Sequence, residues 1–452
     1  MRFLLLLLLL QTQTPTLDKL IQELLLLKGK GETVVTTSAQ LQAALDSDAE
    51  VISVAVGDYV GNFKIRVKPT KTLVRGLAFN GRAKPEYAYP KLIAQDRLRS
   101  VLENVGPASN YTFQGLEFTG VAPDRDTVTV GQLTMTSLAE VPANILFDQV
   151  YIHGVNSLGH RGLQFNVTNG VVVNSYFSEF VEIARDSQAI MVANGPGPYI
   201  FANNYLEASG ENILFGGSDP GIPNLTPSDI TIEDNLFFKP LDWKLKFPHS
   251  VKNLFEIKHA KNVKIRNNVF ENVWADNQSG DAVIFNVRNQ SSRCPWCNIE
   301  NVEFGCNVIR NAGNFAVNVL GMDTNYPSGT MKNLTITNNL MVDVANGIFI
   351  NGGLDLTISL NSIYGVKGRF LGFDGLPTLG FKFLNNTVIS GANGITGKNT
   401  TLGTPTLDFH APGYIFTDNT VEITPLRKIA YPAGTILVQP GTLRVPADWD
   451  CK

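Results

Sequence analysis

The stretch NVKIRNNVFENV (residues 262–273) shows the pattern that decides the fold of this 452-residue chain. It contains a short run of alternating apolar residues, a bend with two asparagines and a second apolar run. Ten further versions of this phrase begin at residues 110, 144, 169, 198, 229, 301, 333, 355, 380 and 413, with successive starts 22 to 39 residues apart. A strand–bend–strand unit that recurs at such a period cannot bury its apolar side alone. The sequence therefore predicts a β-solenoid built from stacked coils.

A third strand lies between consecutive phrases, as in RGLQFN (161–166), ENILFGG (211–217) and NLFEIKH (253–259). Each coil therefore contains three short strands, two within the phrase and one after it. Asparagine at the bend tolerates left-handed backbone and can bond the asparagine of the next coil, which predicts a stacked ladder. With about 4.8 Å between neighbouring coils, about twelve coils form a rod on the order of 60 Å long.

The VxIxNNxF pattern, its asparagine bend and the minimum coil of 22 residues resemble the right-handed parallel β-helix of the pectate-lyase-like superfamily. The resemblance covers roughly residues 50–430. The start of the chain, SAQLQAALD (38–46) and VISVAVGDYVGNF (51–63), is similar to that of many exported β-helix enzymes acting on polysaccharides. NNYLEASGENILFGG (203–217) resembles a bacterial subfamily for which we know no assigned reaction. We expect an all-β, single-stranded right-handed parallel β-helix with an N-terminal capping helix.

The ends of the chain predict export and capping. Residues 1–14 have one arginine before an eight-residue apolar run, which is typical of a signal peptide and too short to span a membrane. Residues 16–28 form one apolar helical face, expected to cap the open end of the rod, with a membrane-surface helix as the alternative. The predicted organisation is signal peptide 1–14, N-terminal capping helices 15–50, β-helix 51–430 and C-terminal cap 431–452. We expect a secreted or extracytoplasmic protein.

Charge and composition limit the partners. The formal net charge of −3 gives no overall field that favours nucleic acid or anionic lipid. A hydrophobic fraction of 44% is enough to fill a core, which argues against disorder. We therefore expect no nucleic-acid partner, and we expect a monomer that recognises polysaccharide.

Four cysteines are present, Cys294, Cys297, Cys306 and Cys451. A zinc site lacks a fourth ligand at suitable spacing, and a thioredoxin-type pair is expected at the start of a helix. One or two structural disulfides are the favoured interpretation, with the pairing left open. Cys306 occupies a bend position where other phrases have asparagine, so it is expected to be an interior ladder residue.

Function in so regular a solenoid must come from exposed strand faces and inserted loops. The longest coils run from about residue 179 to 332, and their loops contain Trp243, Trp274, Trp296 and Tyr326. Aromatic rings beside a groove suit stacking on sugar rings, and the alternative is that they pack the loops onto the rod. We predict Trp243, Trp274 and Tyr326 as substrate-binding residues.

Period-two alternation assigns third-strand residues to two faces. Phe255 and Ile257 are expected to point inward, in line with Val283, Phe285, Val317 and Val319. Charged and amide residues then point outward, and His259 follows at a strand end. The outward set is Glu256, Lys258, Asn286, Arg288, Asn318 and Asn351.

This outward set suits a lyase acting on an acidic glycan. Polysaccharide lyases of this fold neutralise the uronate carboxylate, remove the α-proton with lysine or arginine and support the leaving oxygen. We predict Lys258, Arg288 and His259 as catalytic, with Lys258 the better base because arginine rarely loses its proton. Asn286 and Asn318 are predicted to contact substrate. Glu256, Asp219 and Asp281 are predicted to hold calcium.

Other interpretations stay open. Glu256 with Lys258 or Arg288 could form a purely structural ion pair. Hydrolysis would require two carboxylic acids, drawn from Asp186, Glu211, Asp219, Glu256 and Asp281. A non-catalytic glycan-binding or adhesion module comes next, and a tailspike-like trimer is disfavoured by the signal peptide. His153 and His160 are interpreted as turn residues.

Overall fold

The computed structural model describes residues 31–76, 81–121, 125–156, 158–183, 185–246, 250–276, 278–424, 426–446, 449 and 451. The predicted signal peptide and the predicted helix over residues 16–28 lie outside these residues. Within them, every pairing between neighbouring strands of the sheet is parallel and joins one coil to the next. The predicted right-handed parallel β-helix is therefore confirmed.

Three parallel sheets form the sides of the rod. Sheet 1 contains the first strand of each phrase: Glu32–Val35, Val51–Val54, the ends of Phe63–Arg75 and Leu102–Gln114, Ala143–Asp148, Thr168–Val173, Tyr199–Ala202, Ser228–Glu233, Ala260–Arg266, Ile299–Gly305, Lys332–Thr337, Gly353–Ser359 (also paired with Thr378–Leu379), Lys382–Leu384 and Ile415–Thr417. Sheet 2 contains the second strand: Gly57–Val60, Pro90–Ile93, Glu117–Thr119, Tyr151–His153, Tyr176–Phe180, Tyr205–Ala208, Leu236–Phe238, Val269–Val273, the starts of Val308–Leu320 and Leu340–Asn351, Ser362–Ile363, Thr387–Ile389, Thr420–Glu422 and Ile436–Val438.

Sheet 3 contains the strands between phrases: the starts of Phe63–Arg75 and Leu102–Gln114, Asp126–Val130, Arg161–Phe165, Gln188–Val192, Glu211–Phe215, Phe255–Ile257, Val283–Asn286, the ends of Val308–Leu320 and Leu340–Asn351, Arg369–Phe373 and Gly394–Gly397. These twelve strands agree with the expected twelve coils.

Helices are few and short. The helix Ser38–Asp46 begins at Thr37, whose side chain accepts a hydrogen bond from the Gln40 amide, and it buries Leu41 and Leu45 against the first coils. This is the predicted short helix of the N-terminal region. The remaining helices among the described residues are the 3₁₀ turn Leu138–Glu140, Trp243–Lys246 and Thr404–His410. No helix of the described chain is both long and apolar enough to cross a membrane.

The core runs along the rod axis. Inward residues of neighbouring coils stack, as in the Phe113–Phe147 and Phe237–Phe270 pairs, whose ring centroids lie 5.1 and 4.4 Å apart. Such offset aromatic stacks contribute beyond their buried area. The predicted inward residues are all fully buried: Phe255, Ile257, Val283, Phe285, Val317 and Val319.

Two adjacent positions of each bend have different roles. The first takes left-handed backbone, as at Asn203 and Asn267, with φ of 53° and 56°. The second is buried and bonds along the rod. The Nδ2 of Asn268 donates to the Ile232 carbonyl and to Asn307 Oδ1, at 2.9 and 3.0 Å. This confirms the predicted ladder, which consists of Asn204, Asn235, Asn268, Asn307, Asn339, Asn361, Asn386 and Asn419.

The prediction that Cys306 belongs to this ladder is wrong. Cys306 occupies the left-handed position, with φ of 57°, and the following Asn307 is the ladder residue. Its sulfur is bonded to Cys451, and Cys294 is bonded to Cys297. The expected structural disulfides are thus present, and their pairing is defined.

We predict that Asn268→Ala lowers the free energy of unfolding, by about 1–3 kcal/mol for each buried group left unpaired. The matched control is Asn301→Gly, because Asn301 lies in an exposed amide row at a φ of 56° that glycine adopts without strain. The control should change stability by less than about 0.5 kcal/mol. Urea denaturation of both variants measures the difference, and equal losses would contradict a special role of the buried ladder.

Candidate functional site

A continuous row of polar side chains lies where the chain enters sheet 3. Asp126, Arg161, Gln188 and Glu211 are in direct register in four successive coils. Nη1 of Arg161 donates to both Asp126 oxygens, at 2.9 and 3.1 Å, and its Nε donates to Gln188 Oε1 at 3.0 Å. Gln188 Nε2 donates to Glu211 Oε2 at 2.8 Å. We call these four residues the entry row.

Three side chains from the adjoining turns cover the entry row. Lys252 Nζ donates to the Asp186 carboxylate and lies 3.5 Å from Glu211 Oε1. His160 Nδ1 lies 2.9 Å from the backbone oxygen of Asp186. The Asp186 side chain is 46% exposed, so it connects the row to solvent. The entry row and its covering side chains, His160, Asp186 and Lys252, form the entry cluster.

Glu211 is a buried carboxyl whose pKa lies above its usual range. It is 1% exposed. Burial raises its pKa, Lys252 opposes that shift, and the negative charges of Glu256 and Asp186 add to it. Carboxyl groups with raised pKa values serve as general acids in enzymes.

His160 and Lys252 differ in charge. Burial and the neighbouring Arg161 cation lower the pKa of His160, so the ring is neutral near neutral pH. The backbone carbonyl of Asp186 can only accept a hydrogen bond, so Nδ1 of His160 carries the hydrogen. The lone pair of the His160 ring is therefore on Nε2, which lies 3.9 Å from Asp126 Oδ1. Burial disfavours the charge of Lys252, but the carboxylates of Glu211 and Asp186 outweigh it and raise the pKa, so Lys252 is an ammonium.

The predicted outward residues form a second group further along sheet 3. Glu256 pairs in register with Leu214 and Ile284, and its carboxylate accepts hydrogen bonds from Asn286 at 3.1 Å and Asn253 at 3.4 Å. The structure therefore brings Glu256 and Asn286 together. The charge of Glu256 also reaches Glu211, which links this group to the entry cluster.

Lys258 and Arg288 lie side by side but differ in availability. The half-exposed Lys258 Nζ lies 3.3 Å from Gln290 Oε1. Arg288 Nη1 is 3.2 Å from the buried carboxylate of Asp323, which also accepts the backbone N–H of Asn289. The guanidinium thus anchors a loop. Neither cation forms an ion pair with Glu256 in the described chain.

His259 is not on the outward face. It is 1% exposed, and its Nε2 has no hydrogen-bond partner among the described residues. Burial lowers its pKa to about 4, so the ring is neutral. A ring enclosed in this way does not reach a ligand lying on the sheet.

The three predicted calcium ligands, Glu256, Asp219 and Asp281, each accept hydrogen bonds from different neighbours. Asp219 Oδ2 accepts the backbone N–H groups of Ser291 and Arg293, at 2.8 and 3.0 Å. Asp281 Oδ2 accepts a hydrogen bond from the Asn318 amide at 2.8 Å. The Asn318 amide, which was predicted to contact substrate, is therefore engaged by Asp281. Across the described ranges, no three His, Cys, Asp or Glu side chains are spaced to hold a metal. These donors do not fit calcium as a set, and we assign no step to it.

The aromatic residues divide between packing and exposure. Trp243 is 7% exposed, and Trp274 packs against the core with the Lys244 ammonium 5.0 Å from its ring centre. Trp296 donates from Nε1 to the Leu225 carbonyl at 3.0 Å, joining two loops. These contacts favour loop packing. Tyr326 is 44% exposed, and its predicted contact with substrate stays a prediction.

The predicted site omitted Asp126, Arg161, Gln188 and Lys252, and His160 was predicted to be a turn residue. A signal was present, because the third strands RGLQFN, QAIMVAN and ENILFGG each begin with a polar residue that stacking must place together. Asp186 and Glu211 were considered as hydrolytic carboxylates.

No family model and no curated protein sequence matches this chain. Among solved structures, it is similar to an alginate lyase from Paenibacillus sp. str. FPU-7, at 15% identity over 70% of this chain and 97% of the other, with a TM-score of 0.48. It is similar to PfbA, a surface adhesin of Streptococcus pneumoniae, at 13% identity over 85% and 86%, with a TM-score of 0.49. For the catalytic unit of a GH87 α-1,3-glucanase from Streptomyces thermodiastaticus strain HF3-3, the identity is 12% over 92% and 67%, and the TM-score is 0.47. None of the three indicates what this chain acts on.

We predict that Glu211→Gln gains stability relative to the wild type as the pH rises. The folded-state pKa of Glu211 is raised, so its favourable contribution is complete below the unfolded value near 4.5 and is lost as the pH rises through the folded value. Melting temperatures measured from about pH 4 to about pH 8 test this linkage. The matched control is Glu233→Gln, on an exposed ion pair with Arg266. A Glu211→Gln difference that is constant with pH would contradict the assignment.

Proposed function

We propose that the chain is an exported glycan-active protein, and that it hydrolyses a polysaccharide held across the entry cluster. The supporting observation is the position of Glu211, a buried carboxyl with a raised pKa that is acted on by two further carboxylates, Asp186 and Glu256. Glycoside hydrolysis requires one acid that donates a proton and one carboxylate that activates water or attacks the sugar.

The roles follow from exposure and protonation. Glu211 donates its proton to the glycosidic oxygen as the bond to the sugar breaks. Asp186, the exposed carboxylate, takes a proton from the water whose oxygen bonds to the sugar carbon. Lys252 lies 3.5 Å from Glu211 and covers it, so substrate must displace the ammonium before the acid can act. Displacement also removes a positive charge from beside Glu211, which raises the pKa of Glu211 and keeps it protonated once substrate is in place.

Lyase-type cleavage of an acidic glycan is the second candidate, favoured by His160. A neutral imidazole with its lone pair on Nε2 can remove an α-proton, and the adjoining cations Arg161 and Lys252 can stabilise the resulting charge on the uronate. Lys258 also remains a candidate base in its neutral amine form, since its Nζ contacts the neutral Gln290 amide and no carboxylate among the described residues.

Export is supported by the two disulfides, which persist in oxidising compartments and are rare in the cytosol. A monomeric state, and the absence of nucleic acid among the ligands, remain proposals from composition.

The deciding experiment is product analysis on a panel of neutral and uronate polysaccharides. We expect new reducing ends without ultraviolet absorbance, and losses of at least about a hundredfold in kcat for Glu211→Gln and Asp186→Asn. Glu233→Gln is the control and should retain activity. An unsaturated, ultraviolet-absorbing product that is lost in His160→Ala would replace hydrolysis by the lyase mechanism. Activity that survives Glu211→Gln, or binding with neither product, would overturn the proposal.

The predicted lyase residues need their own test. If Lys258 is the base, Lys258→Ala abolishes formation of an unsaturated product, whereas Arg288→Ala chiefly destabilises the loop anchored by Asp323. Product absorbance and thermal melting of both variants separate the two effects. Unsaturated product formed at the wild-type rate by Lys258→Ala would exclude that role.

A further inference from the structure

Lys239 is a fully buried lysine whose ammonium contacts, among the described residues, only neutral oxygen atoms. It is 0% exposed and follows the sheet 2 strand Leu236–Phe238. Nζ donates to the carbonyls of Ala208, Ser209 and Gly210, and lies 3.3 Å from Asn212 Oδ1. Three N–H donors therefore face four acceptors, and the charge is solvated by the protein itself.

These acceptors belong to the turn that leads directly into Glu211. Ser209 and Gly210 are the only residues between the sheet 2 strand Tyr205–Ala208 and the sheet 3 strand Glu211–Phe215. Three successive carbonyl oxygens that point at one spot repel one another unless a donor lies between them. The Lys239 ammonium supplies that donor from the next coil.

The other side of the turn is fixed by Ser187. Its hydroxyl accepts the Gly210 N–H at 2.9 Å and pairs with the Ser209 hydroxyl at 2.9 Å. A β-carbon at position 210 would lie 2.1 Å from the Ser187 carbonyl oxygen, so only glycine fits. With the backbone held by Ser187 on one side, the position of the carbonyls on the other side depends on Lys239.

We propose that Lys239 is a positioning residue for Glu211, because its ammonium holds the Ala208–Gly210 carbonyls and so places the carboxyl between Gln188 and Lys252. This inference rests on the proposed function for the catalytic meaning of Glu211. Charge coupling agrees with the geometry, since burial lowers the pKa of Lys239 to about 7 and the nearby Glu211 and Glu207 carboxyls oppose that shift.

The test compares Lys239→Met with Lys68→Met in the full chain. Lys68 is the matched control, because it is also buried, at 1% exposure, and donates to the carbonyls of Ala44 and Ser47 near the N-terminal helix, among the first coils. The readout is the titration of the Glu211 carboxyl by carbon-13 NMR, with Glu211→Gln to assign the resonance. We expect both variants to melt at lower temperature. Only Lys239→Met should raise the titration midpoint of Glu211, since it removes a neighbouring positive charge.

An unchanged Glu211 midpoint in folded Lys239→Met would overturn the proposal. If that variant does not fold, Ser209→Ala loosens the same turn and leaves Lys239 in place. A shifted Glu211 midpoint there supports positioning by the turn, and an unchanged one overturns it.

Catalysis gives an independent readout. On a glycan that the wild type cleaves, Lys239→Met should lower kcat by about a hundredfold with little change in KM, because a displaced catalytic group loses rate more than binding. Full activity of Glu211→Gln would refute the proposed function, while the NMR titration of Ser209→Ala, which keeps the Lys239 charge, would still report whether the turn held by Lys239 sets the position of Glu211.

Discussion

Buried side-chain amides at the bends are the interaction on which this structure depends. Each bend turns the chain sharply inside the rod and leaves backbone groups that no sheet can pair. The side-chain amides of Asn235 and Asn268 donate to backbone carbonyls of the preceding coil. Their own backbone N–H groups donate to the side chain of the ladder asparagine in the following coil. Because the ladder fixes how one bend lies over another, it also fixes the register of the sheets on either side.

Register is what turns scattered residues into a site. Arg161, Gln188 and Glu211 are more than twenty residues apart in the chain, yet they form one hydrogen-bonded row because each is the first residue of its strand. In the row, the Gln188 amide joins the Asp126–Arg161 ion pair to the buried carboxyl of Glu211, which thereby accepts a hydrogen bond. Lys239 is a buried example of the same dependence between coils, because its ammonium donates to the Ser209 carbonyl in the turn of the preceding coil.

The fold could be predicted from sequence because its cause is local. Alternation within a strand and asparagine at the bend act over a few residues, and Phe255 and Ile257 lie inside as alternation requires. At the corner this rule ends. Leu254 and Phe255 are adjacent and both fully buried, so the chain bends there and residues before the corner follow a different phase. A prediction that extends a single inward–outward alternation across the corner identifies Glu256 but not the residues of the entry row. The partners of Arg288 and Asp219 lie on other loops, whose approach no periodicity predicts.

The bond between Cys306 and Cys451 has a mechanical consequence. A stack of coils in which each contacts only its neighbours frays from its ends, because the last coil has the fewest contacts to lose. Here the disulfide joins Cys451 to the bend at Cys306. Four strands of sheet 1 lie between these two residues in the chain, namely Lys332–Thr337, Gly353–Ser359, Lys382–Leu384 and Ile415–Thr417. The coils between Cys306 and Cys451 are thus enclosed in a covalent loop, so they cannot separate from the rod independently of the coil at Cys306. Local unfolding of these coils is therefore coupled to unfolding of the coil at Cys306, and the coils between the two cysteines unfold cooperatively with it.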